Sequence, residues 1–332
     1  MRNTFLILTI LFFASCEKML FEPDLASSDP YENFDYLWNE VDKKYSYFEL
    51  KGINWNEVKD KYRPMLSENS SETELFEVMA KMLNELEDDH SNLISPFNIS
   101  QYKVALTGPD NFRWRTLEEH YLPEIWTTGP LLNDFLSNED VGYIRYASFT
   151  SDFSDDQMDL VLERFKNTKG IILDLRKNGG GSIFNYPKIL GRFVETKILV
   201  GHNITRNGSN HGDFAEKEDI YITPYDGIKY LKPVIVLIDN GSYSATTFFA
   251  LATKAIPNII LMGDTTAGGG GLPNGGQLPN GWTYRFSVSQ LLDLNGNNYA
   301  ENGVPADIEV DFDWSDLTKD EILDKAIYEI VY

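Results

Sequence analysis

Between residues 31 and 48 the apolar side chains of Phe34, Leu37, Trp38, Val41 and Tyr45 recur at the spacing of one helical face. A second set follows at Leu75, Val78, Met79, Met82, Leu83 and Leu86, and Ser71 with Glu74 forms a capping box ahead of it. The stripe ends at Leu86-Glu87-Asp88-Asp89-His90, where polar residues replace it. The next stretch, residues 96–141, is rich in Pro, Gly, Trp and Asn with little periodicity, and reads as irregular connection. From residue 142 the texture changes. The pattern predicts a strand at 143–147, a helix at 154–167, a buried strand at 171–175 and a helix at 183–194. Strands at 198–204 and 234–239, a helix over 244–256 and a strand at 259–262 follow. Turn signals such as Pro279-Asn280-Gly281 and Asn295-Gly296-Asn297 predict β-hairpins within 277–310, and a last helix covers 318–330. Such alternation implies an α/β domain, 142–332, preceded by a small helical region, 30–95.

The first residues change this picture at one end. Met1-Arg2-Asn3-Thr4 and the apolar run from Phe5 to Phe13 form a charged n-region and an h-region too short to span a bilayer, which is the pattern of an export signal. It ends at Phe13-Ala14-Ser15-Cys16, which resembles the bacterial lipoprotein signal. Residues 1–16 are therefore expected to be a signal peptide ending at the lipidated Cys16, and 17–29 a tether. Cys16 is the only cysteine, so an attachment point explains it better than a redox role. The 332-residue chain carries a net charge of −22, which repels nucleic acid and anionic membrane surfaces. Membrane contact is expected through the lipid alone.

Candidate chemistry centres on Ser244. It lies in Gly241-Ser242-Tyr243-Ser244-Ala245, after an apolar strand-like run and at the head of an apolar helix-like one. A helix N-terminus offers free N–H groups and the positive dipole end, which stabilise an oxyanion beside a serine nucleophile. The competing reading is that Ser242 and Ser244 only cap the helix. A serine nucleophile needs a base. No lysine lies between Lys254 and Lys319, and Lys254 sits ten residues along the same helix, nearly three turns from Ser244. Of the four histidines, His90, His120, His202 and His211, only His90 follows a helix end flanked by Asp88, Asp89, Ser91 and Asn92. Asp174-Leu175-Arg176-Lys177-Asn178-Gly179-Gly180-Gly181 reads as a strand running into an anion nest, suited to a phosphate or an oxyanion; it lacks the lysine of a phosphate-binding loop.

That segment, the one around Ser244, Gly263-Asp264-Thr265-Thr266-Ala267-Gly268-Gly269-Gly270 and Glu301-Asn302-Gly303-Val304-Pro305-Ala306-Asp307 together resemble the S41 serine peptidases, the tail-specific or C-terminal processing proteases, over about 142–310. The resemblance implies a ClpP/crotonase-like core of stacked βαβ spirals, a peptide or protein substrate and no cofactor. Gly269 stands where processing proteases carry their catalytic lysine. Residues 86–90 instead resemble the histidine motif of the tricorn-core-like branch. That branch implies Ser244 as nucleophile, His90 as base and Glu301 as orienting acid, with oxyanion donors on Ala245 and on either Gly180 or Gly181. About fifty residues separate His90 from Gly142, too few for a PDZ domain. The expectation is thus a lipid-anchored serine peptidase of the bacterial cell envelope, acting on exported polypeptides or peptides through an acyl-enzyme. The alternatives are a silent member of the fold that binds a peptide or apolar ligand, and an esterase, whose Gly-x-Ser-x-Gly pattern is absent because Ser242 and Thr246 flank the central positions.

Overall fold

The computed structural model describes residues 26–102, 109–122 and 124–332; Cys16, the signal segment and most of the tether lie outside them. In the N-terminal region, helices α1 (Pro30–Lys44), α2 (Phe48–Lys51), α3 (Trp55–Tyr62) and α4 (Glu72–Asn84) precede a short strand, β1 (Asn92–Ile94). The capping box is formed: the Ser71 hydroxyl accepts from Glu74 N, and the Glu74 carboxylate accepts from Ser71 N. Helices α2 and α3 carry too short a pattern for the periodicity to reveal.

Residues 96–141 differ from the irregular connection expected. They contain helix α5 (Trp114–His120) and strands β2 (Trp126–Thr128) and β3 (Leu131–Leu136). A buried Asn133 interrupts the apolar run of β3 and hides it; its amide donates to Thr128 Oγ1 and the Leu131 carbonyl and accepts from Arg164.

The elements that follow are β4 (Val141–Tyr146), α6 (Asp155–Arg164), β5 (Gly170–Asp174), α7 (Asn185–Leu190), β6 (Ile198–Thr205), β7 (Glu218–Ile222), β8 (Val234–Ile238), α8 (Ala245–Thr253) and β9 (Ile259–Gly263). The chain ends with β10 (Pro273–Gln277), β11 (Thr283–Ser287), β12 (Ser289–Leu292), β13 (Ile308–Glu309) and α9 (Glu321–Val331). The helix expected over 183–194 is thus the shorter α7. Among the described residues a seven-stranded sheet has the order β13-β9-β8-β5-β4-β3-β2, parallel from β13 to β4 and antiparallel beyond. Its central strands are buried on both faces, which is why they read as unbroken apolar runs. Ile171, Leu173, Val234 and Val236 pack towards α6, α7 and α8, while Ile172, Ile235 and Leu237 pack towards α5 and α9.

Only one of the hairpins expected at 277–310 forms, β10 with β11; β12 instead pairs with β6, and β13 extends the main sheet. The β1-β11-β10 sheet closes over the N-terminal helices. Phe34, Trp55, Met79, Leu83 and Leu93 share one core with Leu278, Trp282, Tyr284 and Phe286. The helical region is therefore built into the body of the protein, and it delivers the segment after α4 to the loops at the C-terminal ends of β5, β8 and β9. Crevices at that end of a parallel sheet are where open α/β proteins bind ligands.

Candidate active site

Ser244 occupies a strained turn between β8 and α8, with φ 57° and ψ −118°. For a residue with a Cβ this conformation costs about 1–3 kcal/mol, so the surroundings must enforce it. They do so from three directions. Ser244 N donates to the Gly268 carbonyl (3.1 Å), Tyr243 N to the Asn178 carbonyl (3.1 Å) and Ala267 N to the Ser242 carbonyl (2.7 Å). Helix α8 is buried on every side, and two of its threonines pin the same loops: Thr246 Oγ1 donates to the Asn178 carbonyl and Thr247 Oγ1 to the Gly268 carbonyl. The turn has the form of a nucleophile elbow without flanking glycines.

The two serines of this turn have separate roles. Ser242 is fully buried, and its hydroxyl donates to the Leu175 carbonyl (3.0 Å) and accepts from Asp239 N. The Ser244 hydroxyl makes no capping bond and instead lies 2.9 Å from His90 Nε2. Capping alone does not account for Ser244.

His90 reaches this point on the loop after α4. Asp88, itself buried, accepts from His90 N (2.8 Å) and from the Ser91 hydroxyl (3.3 Å), which fixes the loop from within. The Tyr243 ring covers the imidazole, with centroids 5.0 Å apart. Burial pushes the His90 pKa below the ordinary imidazole value; the Arg285 and Lys51 cations push the same way, while the Asp88 carboxylate and the Gly271 carbonyl oppose. A hydroxyl that donates to Nε2 requires the Nδ1–H tautomer.

The glycine run after β5 faces the same turn. Gly180 N donates to Asn178 Oδ1 (3.0 Å), and the Asn178 amide donates to the Tyr146 carbonyl (2.8 Å). The N–H groups of Gly181 and Ala245 have no acceptor among the described residues. Of the two glycines that the sequence leaves open, only Gly181 therefore has its donor free. Gly180, at φ +90°, is needed for space: a Cβ there would stand 2.6 Å from the Tyr243 carbonyl oxygen, 2.8 Å from Ser244 Cβ and 2.9 Å from Ala245 N.

Glu301 does not make the contact expected of an orienting acid. Its Oε1 lies 2.8 Å from Lys51 Nζ and its Oε2 accepts from Gly270 N (3.1 Å); among the described residues its carboxyl makes no hydrogen bond to His90. Burial, with the nearby Asp88 carboxylate, pushes the Glu301 carboxyl up to about 8 against the pull of Lys51 and Gly270 N–H.

The Ser244 hydroxyl opens into a cleft of about 470 Å³. Ile183, Phe248 and Leu272 give it an apolar wall, and Gln101, Asp89 and Arg285 a polar one. Three residues that shape the site are not marked by the sequence pattern. Asp88 is visible there only as a flanking acid, and Lys51 and Arg285 give no signal because nothing local marks them as neighbours of His90.

The profile of Peptidase family S41 matches residues 140–310, and that of the tricorn protease C1 domain matches residues 28–84. The chain belongs to peptidase family S41. Carboxy-terminal processing protease CtpA of Bacillus subtilis (strain 168) is 29% identical over 178 residues, which are 53% of this chain and 36% of that protein. The chain spans about a third to a half of the length of the curated relatives it matches. A candidate peptidase from Parabacteroides merdae ATCC 43184, known from a crystal structure, is 36% identical, with a TM-score of 0.87 over 92% of this chain and 98% of that one. Mature CPAF shares the fold at 14% identity, with a TM-score of 0.68 over 91% of this chain and 97% of that one. The α/β core preceded by N-terminal helices is thus the fold of this S41 chain.

Proposed function

We propose that this S41 chain is a serine peptidase that hydrolyses peptide bonds of exported polypeptides or peptides through an acyl-enzyme. His90 takes the Ser244 proton as Oγ attacks the scissile carbonyl; the N–H groups of Ala245 and Gly181 hold the oxygen that becomes negative. The proton then passes from His90 Nε2 to the leaving amine, and water, activated by the same imidazole, releases the acyl group. Glu301 acts at one remove, through the Gly270 backbone and Lys51. The observation that carries this reading is the 2.9 Å contact of Ser244 Oγ with His90 Nε2 at a strained strand-to-helix turn. An envelope location with a lipid on Cys16 rests on Phe13-Ala14-Ser15-Cys16.

The activity is tested by incubating the purified protein, and its Ser244→Ala variant, with a mixture of unfolded exported polypeptides and reading new N-termini by mass spectrometry. Cleavage by wild type alone supports the reading; equal patterns from both proteins sink it. Retention of a Cys16→Ser variant in a salt-washed membrane fraction would remove the anchor.

A further inference from the structure

We propose that Lys51 is a positioning residue for the base: it clamps the loop that carries His90 to the loop that seats Ser244. The inference rests on the peptidase reading for its kinetic consequence, and on geometry for the clamp itself. Lys51 Nζ donates to the Leu86 and Glu87 carbonyls, both at 3.0 Å, and lies 2.8 Å from Glu301 Oε1. All three partners lead to the reacting pair. Leu86 and Glu87 directly precede Asp88, whose carboxylate holds His90 N. Glu87 takes a left-handed φ of 47°, an uncommon conformation for a residue with a side chain, as it turns its carbonyl onto the ammonium. Glu301, on the other side, holds Gly270 N, next to the Gly271 carbonyl beside the imidazole and two residues from the Gly268 carbonyl that receives Ser244 N.

The ammonium can do this because its own base is rigid. Phe48, the first residue of α2, packs on Tyr45 and Trp55 with ring centroids 5.0 and 5.6 Å apart, and Gly52 ends the helix in the left-handed conformation. The Lys51 side chain is 14% exposed, so water competes poorly for it. Burial pushes the Glu301 carboxyl up to about 8, and its contact with the ammonium is a hydrogen bond when the carboxyl is protonated and an ion pair when it is ionised. The clamp holds in both states. Lys51 is committed to these three oxygens and is not a second base for Ser244. Because Lys51 comes from α2, the helical region outside the α/β core completes the site.

The groups facing His90 are Asp88 and Asp89 on its own loop, Arg285 on β11, Lys51 on α2, the Tyr243 ring ahead of α8 and, beyond Lys51, Tyr45, Tyr47 and Glu301. Removing the Lys51 charge takes away one cation and loosens the burial of the imidazole, and both changes favour its protonation. The test compares wild type with Lys51→Met and Lys51→Arg by steady-state kinetics and by NMR titration of the His90 imidazole. For Lys51→Met, kcat is expected to fall about 10²-fold with KM near wild type, because a displaced base misaligns proton transfer without altering the cleft. The His90 titration is expected to move to higher pH. Lys51→Arg should keep the titration near wild type and lose part of kcat, since a planar guanidinium cannot meet three converging oxygens as an ammonium does. Unchanged kcat and an unchanged titration in Lys51→Met overturn the clamp. Should that variant not fold in a thermal melt, wild-type kcat in Lys51→Arg overturns it. A wild-type protein without peptidase activity contradicts the proposed function, and the His90 titration then decides the clamp alone.

Discussion

Ser244 Oγ stands 2.9 Å from His90 Nε2, although 154 positions of sequence separate the two residues. A histidine accepts the serine proton only when neutral, so activity should rise with pH through the His90 pKa. Burial and the Arg285 and Lys51 cations hold that pKa below the ordinary value of about 6.5. The acid limb of kcat/KM is therefore expected below that value, and Arg285→Gln, which removes an opposing cation, should move it upward. An acid limb above 7 in the wild type would contradict the electrostatic account.

Ser242 and Ser244 should separate cleanly on mutation. Ser242→Ala removes the hydroxyl that accepts from the buried Asp239 N and takes one of two donors from the Leu175 carbonyl, which costs about 1–3 kcal/mol of stability, yet the folded variant should keep a substantial part of its turnover. Thermal melts and kcat at a temperature where both proteins are folded measure the two effects independently. A Ser242→Ala protein that is fully stable and inactive would reverse the roles.

How much of the fold and the site is legible in the sequence follows the range of each interaction. The capping box at Ser71, the buried β5 and β8 and the turn at Ser244 are written in adjacent residues, and each forms. Strand β3 is hidden because its Asn133 is satisfied by Arg164 from α6, a contact that no local pattern announces. The partnering of Glu301 is hidden for the same reason. A motif marks the acid, but the four-residue helix that brings Lys51 to it carries no periodic signal, and a single lysine usually reads as surface. The choice between Gly180 and Gly181 needs the Asn178 side chain in place.

Gly180 offers a test of the oxyanion site by space rather than by donor. In Gly180→Ala the new Cβ would crowd the Tyr243 carbonyl oxygen, Ser244 Cβ and Ala245 N at 2.6, 2.8 and 2.9 Å. Displacing the developing charge from its donors is expected to lower kcat by about 10²–10³-fold, the range for losing one such donor. Circular dichroism and a melt check that the fold survives; kcat within a few-fold of wild type would show that the oxyanion lies elsewhere.

Glu301 predicts a pH dependence of stability. A carboxyl at about 8 in the folded state and about 4.5 in the unfolded chain takes up a proton on folding between those two values. Its contribution is complete below about 4.5 and is lost as pH rises through about 8, because over that window the folded state binds the extra proton. Glu301→Gln, which cannot ionise, should lack this component. The wild-type Tm relative to the variant is thus expected to decline between pH 5 and pH 8, as read by scanning calorimetry; parallel Tm curves would mean that the carboxyl ionises normally.

Reaction of the purified protein with a fluorophosphonate, followed by digestion and mass mapping of the modified residue, reads the nucleophile and its base together. A single adduct on Ser244 is expected, formed faster as pH rises through the His90 titration and absent in His90→Ala on the same timescale. An adduct on Ser242, or labelling of Ser244 at an undiminished rate in His90→Ala, would contradict that assignment.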